Sequence, residues 1–251
     1  MNHPFEINEQ ITVNATPDQV WDAIATGPGI DSWFMGHSEV EPREGGRNTM
    51  TMFDSTTSST ITAWEPGRRF AFRGQEDPED GTFMAFEYLV EGRGDGTSVI
   101  RFAHSGLLAG DDWEGEYDAL REGDPMYLRK LATYLAYFAG RTANCNIFVP
   151  GPPATDQAGV WQRFGSALGV SGELTEGASA TIALPGLPVD EGVVAFAREP
   201  GYVGVRTADG MYVLMNGYRH GVFVEYHGFG KADDEQQAFS AWQSWLATAF
   251  A

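Results

Sequence analysis

Five histidines, a single cysteine and a set of methionines and aromatics are the side chains of this sequence best suited to chemistry or ligand contact. His104 stands out. The stretch Thr97 to Gly106 alternates so that Ile100, Phe102 and His104 share one face. On the inner face of a sheet, an imidazole can bind a ligand hydroxyl or move a proton. The alternative is a histidine hydrogen-bonded for structure near the strand end. His37 follows Trp33-Phe34-Met35-Gly36 and is a second candidate, while Asp54 reads equally as a turn residue. Met50, Met52, Met84 and Met126 suit either a core or the wall of a pocket, because thioethers conform to varied apolar shapes. Trp113, Tyr117, Tyr127 and Tyr134 either pack as ordinary aromatics or carry polar tips into a cavity.

Several chemistries are not supported. His3, His37, His104, His220 and His227 form no HExxH pattern, and the lone Cys145 has neither a cysteine partner nor a nearby histidine. No metal, no cofactor, no catalytic thiol and no assigned catalytic residue follow from them. The segment Gly92-Arg93-Gly94-Asp95-Gly96 precedes a strand rather than a helix, so it is a hairpin turn and not a phosphate loop. The acidic run Glu76 to Gly81 lacks the spacing of a calcium loop.

The element that must organise these residues is Asp111 to Gly140, the longest helical pattern in the chain. Trp113, Tyr117 and Leu120, then Tyr127, Leu128, Leu131, Tyr134, Leu135 and Phe138, follow helical spacing. Gly123-Asp124-Pro125 interrupts the run; Asp124 as an N-cap and Pro125 in a first turn predict a kink or two abutting helices. Before it, Phe5 to Val13 alternates as a strand, Thr16-Pro17 opens a short helix ended by Gly27-Pro28-Gly29, and Ile30 to Met35 reads as a second one. Strands are predicted at Gly36 to Glu41, Asn48 to Phe53, Thr60 to Trp64, Arg69 to Arg73 and Phe83 to Glu91. Glu87 and Arg101 face outward and are expected to pair.

After Gly140 the chain begins again. A short strand from Asn146 to Val149, a turn at Pro150 to Pro153 and a helix from Thr155 to Leu168 lead into five more strands. A final helix, capped by Asp233, carries Phe239, Trp242, Trp245, Leu246 and Phe250. Words recur as well: Glu65-Pro66-Gly67 and Glu199-Pro200-Gly201, Glu44-Gly45-Gly46 and Glu176-Gly177-Ala178, Trp21 and Trp161. Element order and words together predict a tandem duplication with its boundary near Arg141 to Asn144, and with the shared Glu-Pro-Gly turns at equivalent positions.

Composition bounds the partners. Lys plus Arg total 16 against 35 Asp plus Glu, a net charge of −19, which disfavours nucleic acid and anionic membrane surfaces. The start, MNHPFEINEQ, carries no basic-then-apolar leader, and no apolar run reaches spanning length, so a cytoplasmic protein without membrane insertion is expected.

The opening Ile11-Thr12-Val13-Asn14-Ala15-Thr16-Pro17-Asp18-Gln19-Val20-Trp21-Asp22-Ala23-Ile24 resembles the first strand and helix of START-like (SRPBCC superfamily) proteins. Trp33, Gly45-Gly46, Trp64-Glu65-Pro66-Gly67 and Gly94-Asp95-Gly96-Thr97 fit the branch named for homology to the activator of the heat-shock chaperone ATPase. The resemblance covers residues 5 to 140 well and the second half weakly. It implies an α+β fold of two tandem helix-grip units, each a curved antiparallel sheet around a long C-terminal helix. Residues 1–142 would be one START-like domain and 143–251 a shorter, diverged one.

It also implies a cavity between sheet and helix in the first domain, binding a small hydrophobic or aromatic molecule. The expected lining is Trp33, Met50, Met52, Phe72, Phe86, Tyr88, Phe102, His104, Trp113, Tyr117, Tyr127 and Tyr134. His104 should then touch Trp113, Tyr117 or Tyr127. Two alternatives stay open: a cyclase or dehydratase using acid-base residues such as His104, and an interaction module with a protein partner or chaperone.

Overall fold

The computed structural model describes residues 2–170, 172–230 and 234–250, with the backbone alone at Tyr218. Contacts divide the chain into two units, Met1–Thr142 and Ala143–Ala251.

In the first unit, β1 (His3–Val13) leads to α1 (Pro17–Ala25), α2 (Gly27–Ile30), β2 (His37–Val40), β3 (Arg47–Met52), β4 (Ser55–Glu65), β5 (Arg69–Gly74), β6 (Phe83–Gly92), β7 (Ser98–Leu108) and α3 (Trp113–Tyr137). The strands form one antiparallel sheet in the order β1-β7-β6-β5-β4-β3-β2, gripping α3. Thr16 starts α1 with a capping box: its hydroxyl accepts from the Gln19 N–H, and the Gln19 side chain accepts from the Thr16 N–H. The Gly27-Pro28-Gly29 segment does not simply end that helix. It forms α2, because the Thr26 hydroxyl caps Gly29 and Pro28 fits a first turn, so the second helix lies earlier than the predicted 30–35. Strand β4 also begins earlier than predicted. Ser55 to Ser59 has no apolar alternation, yet it pairs fully with residues 48–52 of β3 across a two-residue turn.

Of the kink or two abutting helices predicted at Gly123-Asp124-Pro125, the abutting pair is not formed. α3 runs unbroken from Trp113 to Tyr137 with Pro125 inside it. Proline has no N–H, so one backbone bond is missing there, at a typical cost of ~3 kcal/mol in an isolated helix. Burial of Met126, Leu128, Leu131, Tyr134 and Leu135 against the unit offsets it. On the outer face, Glu87 pairs with Arg69 rather than Arg101, and Arg101 reaches Glu91 at 3.0 Å. The register places Leu89 opposite both Arg69 and Arg101, so each charge finds a diagonal neighbour.

The second unit repeats the plan with one strand fewer: β8 (Cys145–Pro153), α4 (Gln157–Ala167), β9 (Ser179–Ile182), β10 (Asp190–Arg198), β11 (Tyr202–Thr207), β12 (Gly210–Asn216), β13 (Gly221–Gly228) and α5 (Glu235–Ala249). Its antiparallel order, β8-β13-β12-β11-β10-β9, is that of the first sheet without β2. β8 passes through the expected turn at Pro150 to Pro153, which an edge strand tolerates and where its register with β13 shifts. Asp234 caps α5, accepting from the Gln237 N–H; the predicted cap, Asp233, lies outside the described residues.

The repeat is visible at the level of single hydrogen bonds. Gly45 N–H donates to Ile61 O, and Ile61 N–H to Gly46 O; Gly177 and Val194, and Val194 and Ala178, do the same. A bulge follows in each copy, between Ile61 and Ala63 and between Val194 and Phe196. The shared Glu-Pro-Gly words sit in the same hairpin but one residue out of register: Glu65 pairs with Arg69, whereas Arg198, before Glu199, pairs with Tyr202.

The interiors differ. The row Ile7, His104, Phe86, Phe72, Ile61 crosses the first sheet, and Ile147, Tyr226, Tyr212, Val205, Val194 is its counterpart. In the second unit, Tyr212 and Tyr226 stack at 4.4 Å, Tyr212 donates to Asp190 Oδ2 at 3.0 Å, and the buried Trp242 and Leu246 of α5 complete a packed core.

Candidate functional site

In the first unit, the sheet and α3 enclose a cavity of about 370 Å³. Two-residue periodicity puts Phe72 of β5, Phe86 and Tyr88 of β6, and Phe102 and His104 of β7 on its floor. The rings are layered: Phe72 on Phe86 at 5.0 Å, Phe86 on His104 at 4.2 Å, Tyr88 beside Phe102 at 4.9 Å. From α3, Leu120, Asp124 and Tyr127 face them at helical spacing. Trp33 and Phe34 close one side; the Trp33 indole donates to Ala23 O at 2.9 Å, and Phe34 packs on Tyr127 at 4.6 Å. Met50, Asn48, Ser38, Thr57 and Ser59 form the wall toward the β2 edge.

Eight of the expected lining residues meet here: Trp33, Met50, Phe72, Phe86, Tyr88, Phe102, His104 and Tyr127. Four lie elsewhere. Met52 ends β3 and sits close to Gly36. Trp113 stacks on His3 at 4.0 Å, and Tyr117 leans on Phe5 at 6.2 Å, so both pack against the start of β1. The Tyr134 hydroxyl donates to Arg141 O at 2.9 Å, at the far end of α3. His37 is exposed beside Asp31, 3.4 Å away, and is not in the lining.

His104 is 2 % exposed and reaches α3 through Asp124, not through an aromatic ring. Its Nδ1 lies 3.0 Å from Asp124 Oδ2; a carboxylate only accepts, so Nδ1 carries the hydrogen. Its Nε2 lies 3.3 Å from Met84 Sδ. Nδ1 is thus committed to Asp124, and Nε2 is covered by the Met84 thioether, which has no hydrogen to give it. Asp124 Oδ1, in contrast, has no hydrogen-bond partner among the described residues, and Asp124 lines the cavity. Sequence reading missed Asp124 because it treated the residue as a helix cap. The available signal was spacing: four after Leu120 and three before Tyr127, on the face that points at the sheet.

The local electrostatics follow from burial beside one carboxylate. The Tyr88 and Tyr127 hydroxyls are pushed well above the usual phenol range, first by burial and then by the nearby Asp124 charge. Both stay protonated donors. Lys130, also on α3, is fully buried with its Nζ 5.5 Å from the Tyr127 ring, and burial holds its ammonium well below the usual lysine range. The unfolded chain keeps that lysine protonated to about pH 10.4, so above the folded pKa it binds more protons than the native state. Stability should therefore rise with pH across this window. In parallel melts from pH 7 to 10, the wild type should gain on Lys130→Met; a difference that stays flat or falls contradicts this account of Lys130.

The profile of the family described as polyketide cyclase / dehydrase and lipid transport matches residues 4–133. Curated proteins give no match. Among solved structures, the chain is similar to the di-domain ARO/CYC BexL from the BE-7585A biosynthetic pathway, at 14 % identity and TM-score 0.47, covering 94 % of this chain and 88 % of that one. It is similar to DynU16, a putative protein of the dynemicin biosynthetic locus, at 15 % and 0.46, covering 98 % and 95 %. The Aha1 dimer from Colwellia psychrerythraea is similar at 19 % and 0.45, covering 54 % of this chain and 99 % of that one. No helix of the described residues is long and apolar enough to cross a membrane.

Proposed function

We propose that this chain, which belongs to the family of polyketide cyclases / dehydrases and lipid-transport proteins, binds a small hydrophobic or aromatic molecule in the cavity of its first unit. The observation that carries the reading is the cavity itself: about 370 Å³, floored by layered rings, with one carboxylate on its helical wall. This volume lies in the range that holds small organic ligands, and few polar groups in an apolar wall are the usual means of orienting them. Native mass spectrometry of the purified protein, followed by solvent extraction, tests it. An adduct of a few hundred daltons, released on denaturation, is expected. Apo-protein alone, with no uptake from a mixture of hydrophobic aromatics, contradicts it.

A second reading is acid-base catalysis in the same cavity, favoured by the placement of Asp124. Asp124 lines the cavity, its Oδ2 is held by His104, its Oδ1 has no hydrogen-bond partner among the described residues, and its charge acts on the phenol of Tyr88. A carboxylate so placed can take a proton from a carbon beside a carbonyl, while a phenol donates to the oxygen that gains charge. That enol-forming step is common to cyclisation and to dehydration. The protein should accelerate exchange of the methyl protons of 2-acetonaphthone with deuterated water, followed by NMR, and Asp124→Asn should lose at least about tenfold of that acceleration. Exchange no faster than in buffer leaves binding alone.

A further inference from the structure

We propose that Asp124, rather than His104, is the group that recognises the ligand's polar end, and that it selects an aromatic ligand ending in a hydrogen-bond donor, an amine before an alcohol, while rejecting carboxylates. The proposal rests on the binding reading above and adds the charge and polarity of the ligand. Both ring nitrogens of His104 face protein atoms: Nδ1 donates to Asp124 at 3.0 Å, and the Met84 thioether packs on Nε2 at 3.3 Å. His104 is a positioning residue that fixes Oδ2 of Asp124, a residue of the cavity lining, and leaves Oδ1 without a hydrogen-bond partner among the described residues.

Three further observations point the same way. Among the described residues that line the cavity, none is lysine or arginine, so a ligand anion would be desolvated with no cation to meet it. Phe72, Phe86, Phe102 and Tyr88 line the same cavity as Asp124, and an aromatic ring attracts a cation held over its open face. The chain carries a net charge of −19, which raises the local concentration of cations and lowers that of anions. A neutral alcohol can donate to Oδ1 but gains neither the aromatic faces nor the charge. The order amine, alcohol, acid follows.

The test uses three probes of one shape: 2-naphthylmethylamine, 2-naphthalenemethanol and 2-naphthoic acid, titrated at pH 7 into the full-length protein by calorimetry. The amine should bind at least about tenfold tighter than the acid, with the alcohol between, the scale of one charge-assisted contact. Asp124→Asn keeps the shape and removes the charge; the amine-to-acid ratio should fall at least about fivefold, and whatever preference the aromatic lining and the net charge supply should remain. An acid that binds the wild type as well as the amine overturns the proposal, as does an amine-to-acid ratio that is undiminished in Asp124→Asn. Equal binding of all three overturns the proposal and leaves the binding reading standing. Binding of none overturns both. The wild-type ordering decides the matter even if the variant fails to fold.

Discussion

Replacing Trp242 with alanine is expected to destabilise the second unit by about 3–5 kcal/mol, the usual loss when a buried tryptophan is truncated. The indole is fully buried, 6.0 Å from Tyr212 and 5.7 Å from Trp245, in the core formed by β8–β13, α4 and α5. Its Nε1 has no hydrogen-bond partner among the described residues, so the loss is one of packing and not of a polar contact. The two units share one strand plan, and Trp242 occupies the grip of the second where the first has space. Hydrogen exchange of the β12 and β13 amides under increasing denaturant measures the effect. Protection should fall by roughly two orders of magnitude or more, the equivalent of that free energy. A loss below about 1 kcal/mol would mean that Trp242 is not the filler of that core.

His104→Phe carries the second large effect. Phenylalanine conserves the stacking on Phe86 but leaves Asp124, with its side chain 12 % exposed, without its donor. An unsatisfied buried acceptor costs about 1–3 kcal/mol, and breaking a buried charged pair approaches the upper end or beyond. Amine-ended probes should also bind more weakly, because Asp124 is no longer held in one orientation. His104→Asn should recover part of both losses, since its amide nitrogen can stand near the position of Nδ1. A large loss of stability with unchanged probe affinity assigns His104 to the fold alone. No loss in either measurement contradicts the pairing with Asp124.

Strand-level features of the first unit were legible in the sequence because alternation is a local signal. Phe86, Tyr88, Phe102 and His104 reached the cavity as parity required, and the repeated strand order was legible from element order and shared words. What escaped had non-local causes. Ser55 to Ser59 is strand because β3 pairs along all of it, while β5 reaches only Ser59; nothing in five hydroxyl residues announces that. The strand through Pro150 to Pro153 is stable because it lies at a sheet edge, a property of topology. Asp124 illustrates a competition between signals. Local rules made Gly123-Asp124-Pro125 a helix boundary, yet the apolar face on either side keeps α3 whole and turns Asp124 toward His104, twenty residues earlier in the chain. Trp113, Tyr117 and Tyr134 had the right residue type and helix but the wrong contacts: the first two pack on β1 and the third caps the carbonyl of Arg141.

The central claim is that the first unit holds its ligand between the sheet and α3, and filling that space tests it most directly. Ala119 lines the cavity from α3 and is not part of the His104–Asp124 pair. Ala119→Trp should place an indole in the cavity, at a cost no larger than about 1–3 kcal/mol for overpacking. Native mass spectra of wild type and variant, each offered 2-naphthylmethylamine, give the answer. The account predicts a ligand adduct on the wild type and its loss, by at least about tenfold in occupancy, from a folded variant. A folded Ala119→Trp protein that carries the adduct as fully as the wild type would contradict it, since the ligand would then lie outside the cavity.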